Sequence, residues 1–293
     1  MEKLNNSPRH GGARQKVAII LLGGLALLNF FVWYAVFRED RHGILSVYFF
    51  DVGQGDAIFI DAPSGNQILL DGGPSKIVLS QLGKAMPFYD RTIDAVMVSH
   101  PHMDHIGGLP EVFRRYSVAG YLDSGTEAKT PEYQALAKAA ENEGIPKITL
   151  KSGMKIDLGG GAVLQVLSPF VNSATADPHQ SMLVLKLVYG KTSFLFEGDM
   201  ESNMESYLVS VYGKNLKSDV LKVAHHGSKN SSSEMFLGYV SPENAVISVG
   251  KGNSYGHPAE MTLQKLTNLN AQVLRTDQMG MIEIKSDGTN ISF

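Results

Sequence analysis

The 293-residue chain contains no cysteine, so neither a disulfide framework nor a metal site built on thiolates is possible. It also lacks an excess of basic charge, with 26 Lys and Arg against 29 Asp and Glu and a formal net charge of −3. The first 43 residues hold six of the basic and three of the acidic side chains. The remainder therefore has 26 − 6 = 20 basic and 29 − 3 = 26 acidic residues, a net charge of −6. This balance argues against a broad basic groove for nucleic acid.

A long hydrophobic run occurs once, at residues 17–37, where Asn29 is the only strongly polar side chain. About 20 apolar residues in a helix span the roughly 30 Å hydrocarbon core of a bilayer. Basic side chains precede the run, and a mixed Arg-Glu-Asp-Arg sequence follows it. The positive-inside rule therefore predicts a cytoplasmic N-terminus over residues 1–16 and an extracellular remainder.

Three interpretations of this run compete. Trp33 and Tyr34 near its far end are typical of a membrane interface. A cleaved signal peptide is disfavoured because the run is long and no clear small-x-small cleavage site follows it. A buried soluble helix is disfavoured because the run has no polar face. We favour a single-pass, uncleaved signal anchor at 17–37 in the cell membrane.

Residues 43–293 are expected to form one domain of about 250 residues. Short apolar runs, such as that over 93–99, predict several strands in a row in each half of this domain, and amphipathic stretches such as 131–142 predict helices between them. This order indicates an α/β (α+β) fold with two sheets and helices outside them.

The strongest motif is His-Pro-His-Met-Asp-His at residues 100–105, directly after the predicted strand 93–99. Because His100 and His102 are two residues apart, they share one side of an extended or loop backbone and can hold one metal ion. Asp104 and His105 can begin a second site. Imidazole nitrogen and carboxylate oxygen suit divalent zinc, iron or manganese.

Three further segments place candidate ligands at strand ends. Asp199 ends an apolar strand and is a candidate carboxylate for bridging two metals. His225 and His226 end another strand. Because adjacent residues of an extended chain point to opposite sides, one of them can bind metal while the other faces the substrate. His179 precedes a buried strand and could complete the first metal site.

Polar loops supply supporting groups. The sequence Asn-Ser-Tyr-Gly-His-Pro at 253–258 contains His257, which could bind a phosphate or protonate a leaving group. Asp71 could accept a hydrogen bond from a metal-bound histidine and fix its tautomer. Gly53 and Gly55 are interpreted as parts of a tight turn between two strands.

Taken together, HPHMDHIGGL, FLFEGD, KVAHHGS and NSYGHP resemble the metallo-β-lactamase superfamily. They look most like its branch at the end of ComEC-type DNA-internalisation proteins, for which the early DVGQGDA and the late TDQMG are also typical. The resemblance covers nearly all of residues 44–293. ComEC-type proteins also carry a many-helix membrane channel, whereas this sequence has one apolar span. The resemblance therefore supports the hydrolase domain and not the transport function.

The resemblance implies a four-layer αββα sandwich, here preceded by one transmembrane helix, with a two-metal centre between the sheet edges. Its implied ligands are, for the first metal, His100, His102 and His179; for the second, Asp104, His105 and His226; and, as the bridge, Asp199. His225 would face the substrate, although the choice between His225 and His226 as ligand stays open. Zn²⁺ and Mn²⁺ both suit such a site.

The favoured function is a membrane-anchored, metal-dependent phosphodiesterase or nuclease in which a metal-bound hydroxide attacks phosphorus. Asp104, or metal-bound water, could take protons, and His225 or His257 could stabilise the oxyanion or protonate the leaving oxygen. Single-stranded DNA is a candidate substrate, and a separate membrane channel is left open as a partner. Four lysines near the motifs could contact phosphates, although an ordinary solvated surface position is favoured for them: Lys217, Lys222, Lys229 and Lys251.

Two alternatives stay open at this point. One is hydrolysis of a small or cell-envelope ester, either a phosphoester or a lactone, which suits an acidic domain tethered to a membrane. The other is a non-catalytic assembly protein that binds metal for folding.

Overall fold

The computed structural model describes residues 11–39, 41–170 and 181–293. His179, a predicted ligand, lies outside the described residues. The chain divides into two compact units, Met1–Asp40 and Arg41–Phe293. In the first, helix α1 runs over Gly11–Glu39. Its segment Arg14–Tyr34, 21 residues with a mean hydropathy of 2.2, is long and apolar enough to cross a membrane.

The second unit contains two large sheets. In the first sheet the strand order is β17 (Ile291–Ser292), β16 (Ile282–Ser286), β1 (Leu45–Phe49), β2 (Ile58–Asp61), β3 (Gln67–Leu70), β5 (Ala95–Val98), β7 (Tyr121–Asp123), β8 (Lys147–Thr149). In the second sheet the order is β15 (Gln272–Arg275), β14 (Asn244–Ile247), β13 (Val220–Lys222), β12 (Thr192–Phe196), β11 (Val184–Tyr189), β10 (Ala162–Ser168), β9 (Lys155–Gly159). A small sheet pairs β4 (Thr92–Ile93) with β6 (Ser117–Val118).

Helices cover the outer face of each large sheet. The first sheet packs against α2 (Ile77–Ala85), α4 (Leu109–Arg115) and α5 (Pro131–Asn142). The second packs against α6 (Ser202–Tyr212), α7 (Glu234–Val240) and α8 (Glu260–Asn268). Two four-residue helices, α3 (Met103–Ile106) and α9 (Thr276–Met279), follow strand ends. The four layers confirm the predicted αββα sandwich.

Strand alternation explains why the layers form. In β12, Phe194 and Phe196 face the apolar core between the sheets, whereas Leu195 faces the outer helices. The exposed fraction of each of these three residues is at most 1%. Removing a ring from this core by Phe196→Ala would cost about 3–5 kcal/mol.

Some local structure matches the predicted bounds, and some was missed. Helix α5 begins and ends at the predicted residues, and the hydroxyl of Thr130 caps it by accepting a hydrogen bond from the Tyr133 amide at 3.3 Å. Strand β9 was missed because it is an edge strand with exposed residues such as Lys155, so it lacks a buried apolar run.

The parallel strands bring the motifs to one edge. Strands β3, β5 and β7 are parallel neighbours, as are β12, β13 and β14. Carboxyl ends of parallel strands meet at the same edge of a sheet. The loops that carry Asp71, His100, Asp199 and His226 leave from such ends. The site therefore lies where the edges of the two sheets face each other.

Candidate metal centre

The HPHMDH motif turns sharply after β5. Helix α3 begins directly after His102, whose backbone is extended (φ −91°, ψ 150°). This turn leaves His100 Nε2 2.9 Å from His102 Nδ1 and places the fully buried ring of His105 4.1 Å from that of His100. Asp104 is half-buried and joins the same cluster.

The turn needs a glycine from another segment. A Cβ on Gly55 would lie 2.2 Å from the carbonyl oxygen of Asp104. The Asp56 amide donates to that same carbonyl at 3.1 Å. The predicted role of Gly55 in a simple turn between strands is therefore incomplete, because the residue also allows the close approach of the Asp104 backbone.

Asp199 lies between the histidines of both sites. Its Oδ1 is 3.3 Å from His105 Nε2 and 3.7 Å from His226 Nε2. Its Oδ2 is 3.9 Å from His100 Nε2. The carboxylate follows β12 through Gly198, which has a φ of +56°. One oxygen thus faces each predicted site, as a bridging ligand requires.

The side chains of the adjacent residues His225 and His226 point in different directions, but not because of the extended backbone that the sequence predicts. His225 and His226 both have left-handed backbones, with φ values of 50° and 54°, so the segment is not extended. His226 is nonetheless buried, with Nε2 3.2 Å from Asp104 Oδ2. The side chain of His225 is 28% exposed, and its Nε2 is 3.7 Å from Asp199 Oδ2. This placement favours His226 as the ligand.

Among the described residues, three sets of donor atoms each lie within 4.8 Å of one another and are close enough to hold a cation. Two of them share Asp199: one combines Asp104, His105, Asp199 and His226, and the other combines His100, His102 and Asp199. The third combines Asp56, Asp71 and His105, whose Nδ1 already lies 2.8 Å from Asp71 Oδ2. The buried atoms Asp199 Oδ1 and His105 Nε2 form no hydrogen bond within the described residues. Buried polar atoms are normally paired, so these atoms fit a role as metal donors.

Asp71, which belongs to neither of the sets that contain Asp199, orients His105. Asp71 Oδ2 is 2.8 Å from His105 Nδ1, as predicted for a group that fixes the tautomer of a ligand. Asp71 is itself held by Ser99, whose amide donates to Oδ1 at 2.8 Å and whose hydroxyl donates to Oδ2 at 2.6 Å. His226 is oriented in the same way, because its Nδ1 lies 2.9 Å from the Ser248 carbonyl.

Lys222 is not a phosphate contact. It is 1% exposed and forms an ion pair with Asp56 Oδ2 beneath the centre. The other oxygen of Asp56 is 3.5 Å from His226 Nδ1. Lys217 precedes the amino end of β13, whereas the centre follows its carboxyl end, so this lysine is also remote. Lys229 and Lys251 are exposed.

The charges within the centre shift one another's pKa values. Burial raises the pKa of Asp199, but the imidazoles of His105 and His226 hold it well below its usual value. Burial likewise raises the pKa of Asp104, but the hydrogen bond from His226 and the charge of His105 lower it to about 2. Both carboxylates are therefore ionised at neutral pH and suited to bind a cation.

His257 lies at the rim. Its ring centroid is 5.7 Å from that of His225 and 6.4 Å from that of His226. Burial and the two neighbouring imidazoles lower its pKa. A neutral His257 can stabilise an oxyanion by donating a hydrogen bond, but it is a poor source of a proton for a leaving oxygen.

Comparisons with known proteins agree with the motifs. Residues 50–251 match the model of the metallo-β-lactamase superfamily. The chain is 33% identical to ComE operon protein 3 of Bacillus subtilis over 284 residues, which cover 91% of this chain and 36% of that protein. It is 32% identical to Competence protein ComA of Neisseria gonorrhoeae over 243 residues, or 81% and 32% of the two chains. The chain thus spans about a third of these relatives.

A solved structure shows the same fold. The metallo-β-lactamase fold protein YhfI from Bacillus subtilis superposes with a TM-score of 0.55 at 12% identity, covering 82% of this chain and 99% of that one. Superfamily members are generally metal-dependent hydrolases, and the fold binds divalent metals. The resemblance to ComEC-type proteins is confirmed. The chain belongs to the metallo-β-lactamase superfamily.

Proposed function

We propose that the chain is a metal-dependent phosphodiesterase, and specifically a nuclease for single-stranded DNA. The observation that carries this proposal is the position of Asp199, which is shared by two of the sets of donor atoms. Two divalent ions in this centre would lower the pKa of a water molecule and offset negative charge on the phosphoryl oxygens. Zn²⁺ and Mn²⁺ are both candidates.

The metal assignment rests on the two sets of donor atoms that contain Asp199. His100, His102 and Asp199 would hold the first ion, with His179 as a further ligand from outside the described residues. Asp104, His105, Asp199 and His226 would hold the second. The low pKa of Asp104, about 2, makes it a weak proton acceptor at neutral pH, so we assign it as a ligand before a base.

The partly exposed imidazoles are assigned to the substrate. His225 is the more open of the adjacent histidines, and His257 lies next to it at the rim. Each could donate a hydrogen bond to a phosphoryl oxygen and stabilise the charge that develops there. Lys229 and Lys251 are exposed, and we keep them as candidate contacts for flanking phosphates.

The relatives support the substrate class, and helix α1 supports the membrane location. One relative is named Competence protein ComA and another ComE operon protein 3, and a phosphodiester substrate fits that setting. Helix α1 is apolar enough to span a bilayer. We propose that residues 17–37 anchor the chain, with residues 1–16 cytoplasmic and the hydrolase domain, residues 43–293, extracellular. A separate membrane channel is a proposed partner.

The test uses the full chain, stripped of metal and reloaded with zinc or manganese. It is incubated with single-stranded DNA and, in parallel, with bis(p-nitrophenyl) phosphate. We expect both to be cleaved and His102→Ala to lose the activity. Equal rates for the wild type and this variant would overturn the proposal. Bound metal without turnover of any ester would indicate the non-catalytic alternative.

A second candidate is a hydrolase of a small or cell-envelope ester. The net charge of −6 over residues 44–293 favours it, because an acidic surface repels duplex DNA. The dependence of the cleavage rate on salt concentration distinguishes the two candidate functions. Cleavage of a polyanion should fall steeply between low and moderate salt, whereas cleavage of a small ester should change little.

A further inference from the structure

The loop at the rim of the centre is held rigidly by one side chain. The side-chain nitrogen of Asn253, Nδ2, donates to the backbone carbonyls of Gly250 at 3.0 Å and His257 at 2.6 Å. Its Oδ1 accepts from the backbone amides of Tyr255 and His257, both at 3.1 Å. Four hydrogen bonds from one residue fix the shape of the loop between Gly250 and His257.

One end of this loop packs against the segment of Asp56, which supports the centre, and the other end packs against the turn that carries His226. A Cβ on Gly250 would lie 2.6 Å from the amide nitrogen of Gln54, whose side-chain oxygen accepts from the Gly250 amide at 3.1 Å. At the other end, a Cβ on Gly227 would lie 2.6 Å from the Cβ of Pro258. The loop therefore cannot move away from the centre without breaking these contacts.

This rigid loop presents an aromatic side chain to solvent. Tyr255 is 70% exposed, and its ring stacks on that of His257 with centroids 5.9 Å apart and planes inclined by 26°. His257 is in turn next to His225, the partly exposed histidine of the centre. A row of three rings thus runs from the metal centre outwards and ends in the open face of Tyr255.

We propose that Tyr255 forms a subsite for a flat aromatic group, namely the nucleobase of a nucleotide adjacent to the bond that is cleaved. This inference rests on the proposed nuclease function and names how its substrate is bound. Bases stack on tyrosine independently of sequence, and such stacking is common where single strands are bound. Stacking also needs no positive charge, so it offers binding to a domain whose net charge is −6.

The geometry favours a single strand over a duplex. A base can reach the outer face of Tyr255 only when it is unpaired and turned away from its neighbours. A phosphate linked to that base could then lie over His225 and His257. Exposed Lys251, four residues before Tyr255, could contact the next phosphate.

The experiment compares two oligonucleotides with the same backbone, one carrying bases and one made of abasic residues. The metal-loaded full chain is assayed as wild type, Tyr255→Ala and Tyr255→Phe, with Tyr239→Ala as the matched control. Tyr239 is 40% exposed and lies on the outer helix α7. We expect the wild type to prefer the base-bearing strand by about 10-fold in kcat/KM.

Tyr255→Ala should bring this ratio close to 1, mainly through KM, while Tyr255→Phe and Tyr239→Ala should keep it. A ratio unchanged by Tyr255→Ala, or a ratio near 1 in the wild type, would overturn the subsite. If the wild type cleaves neither strand, the proposed function fails instead. The subsite is then judged by the ratio of Kd values for the two strands in fluorescence anisotropy, with the same expected and contradicting results.

Discussion

The two halves of the metal centre are built differently. The second set of donors, Asp104, His105, Asp199 and His226, has four members, and its histidines are oriented by buried neighbours. The first set has three members within the described residues, and His102 is only half-buried. Ligands that are fixed before binding lose less freedom when the metal arrives. We therefore expect the second site to bind its ion more tightly.

The support beneath the second site reaches across the two sheets. Lys222 comes from β13, Asp56 from the segment between β1 and β2, and His226 lies against Asp56. The first site has a comparable neighbour in Ser99 Oγ, at 3.1 Å from His100 Nδ1. Donor atoms alone therefore do not define a metal site, since the groups behind them contribute to its affinity.

Removing the shared ligand should have the largest effect. Asp199→Ala removes one donor residue from each set and removes the carboxylate oxygen next to His105 Nε2. We expect activity to fall on the order of 1,000-fold, because charge stabilisation in the reaction is lost with the metals. Metal content per chain, measured by plasma mass spectrometry, should drop at both sites. The exposed Asp287→Asn serves as the control, and loss of one ion only would show that Asp199 does not bridge.

Removing the buried cation beneath the second site should cost stability. Lys222→Met leaves the Asp56 carboxylate buried without its partner, which typically costs about 3–5 kcal/mol. Urea denaturation measures this loss. The double variant Lys222→Met, Asp56→Leu removes both charges and should recover much of it. A single variant as stable as the wild type would mean that the pair contributes little.

Altering the group behind His105 should affect only the second site. Asp71→Asn keeps the size of the side chain but removes the charge that orients the imidazole. We expect about a 10–100-fold loss of affinity for one of the two ions. Metal titration by calorimetry should show the tighter binding phase weaken until its affinity approaches or falls below that of the other phase. Equal weakening of both phases would contradict the division into two sites.

The smallest effect on activity is expected from His179, which the sequence predicts as a ligand of the first metal, because added metal can offset a weaker site. His179→Ala should lower the affinity of the first site for its ion by about 10–100-fold and leave the second site unchanged. Excess zinc or manganese should restore activity. A loss of the tighter ion would place His179 at the other site or show that it acts through the fold.

Local sequence was sufficient to place the candidate ligands of the described residues at strand ends, but not to identify the groups that support them. His100 to His105 and Asp199 follow apolar strands, so periodicity alone places them at strand ends. Lys222 was considered as a phosphate contact because it lies near the motifs in sequence. Proximity in sequence, however, does not show which partner a side chain meets in the fold. Asp56 lies in a different segment, and the pair forms only when the two sheets face each other. A single lysine between Leu221 and Val223 in an apolar strand was the available signal.

Backbone conformation was the other limit. The adjacent histidines were expected to separate because an extended chain alternates its side chains. They separate instead because both residues have a left-handed backbone conformation, which non-glycine residues seldom adopt. The turn is set by contacts made after folding, such as the His225 amide donating to the Gly198 carbonyl at 3.0 Å. Such contacts join residues distant in sequence, so no local pattern predicts them.

The most direct test of the account is the rate of bis(p-nitrophenyl) phosphate cleavage as a function of metal bound per chain. Stripped protein is titrated with manganese or zinc, and bound metal and rate are measured on the same samples. A two-metal phosphodiesterase predicts little activity with the first equivalent and a rate that rises with the second. A rate that is complete at one equivalent, or that does not depend on bound metal, would contradict the shared role of Asp199 and with it the proposed mechanism.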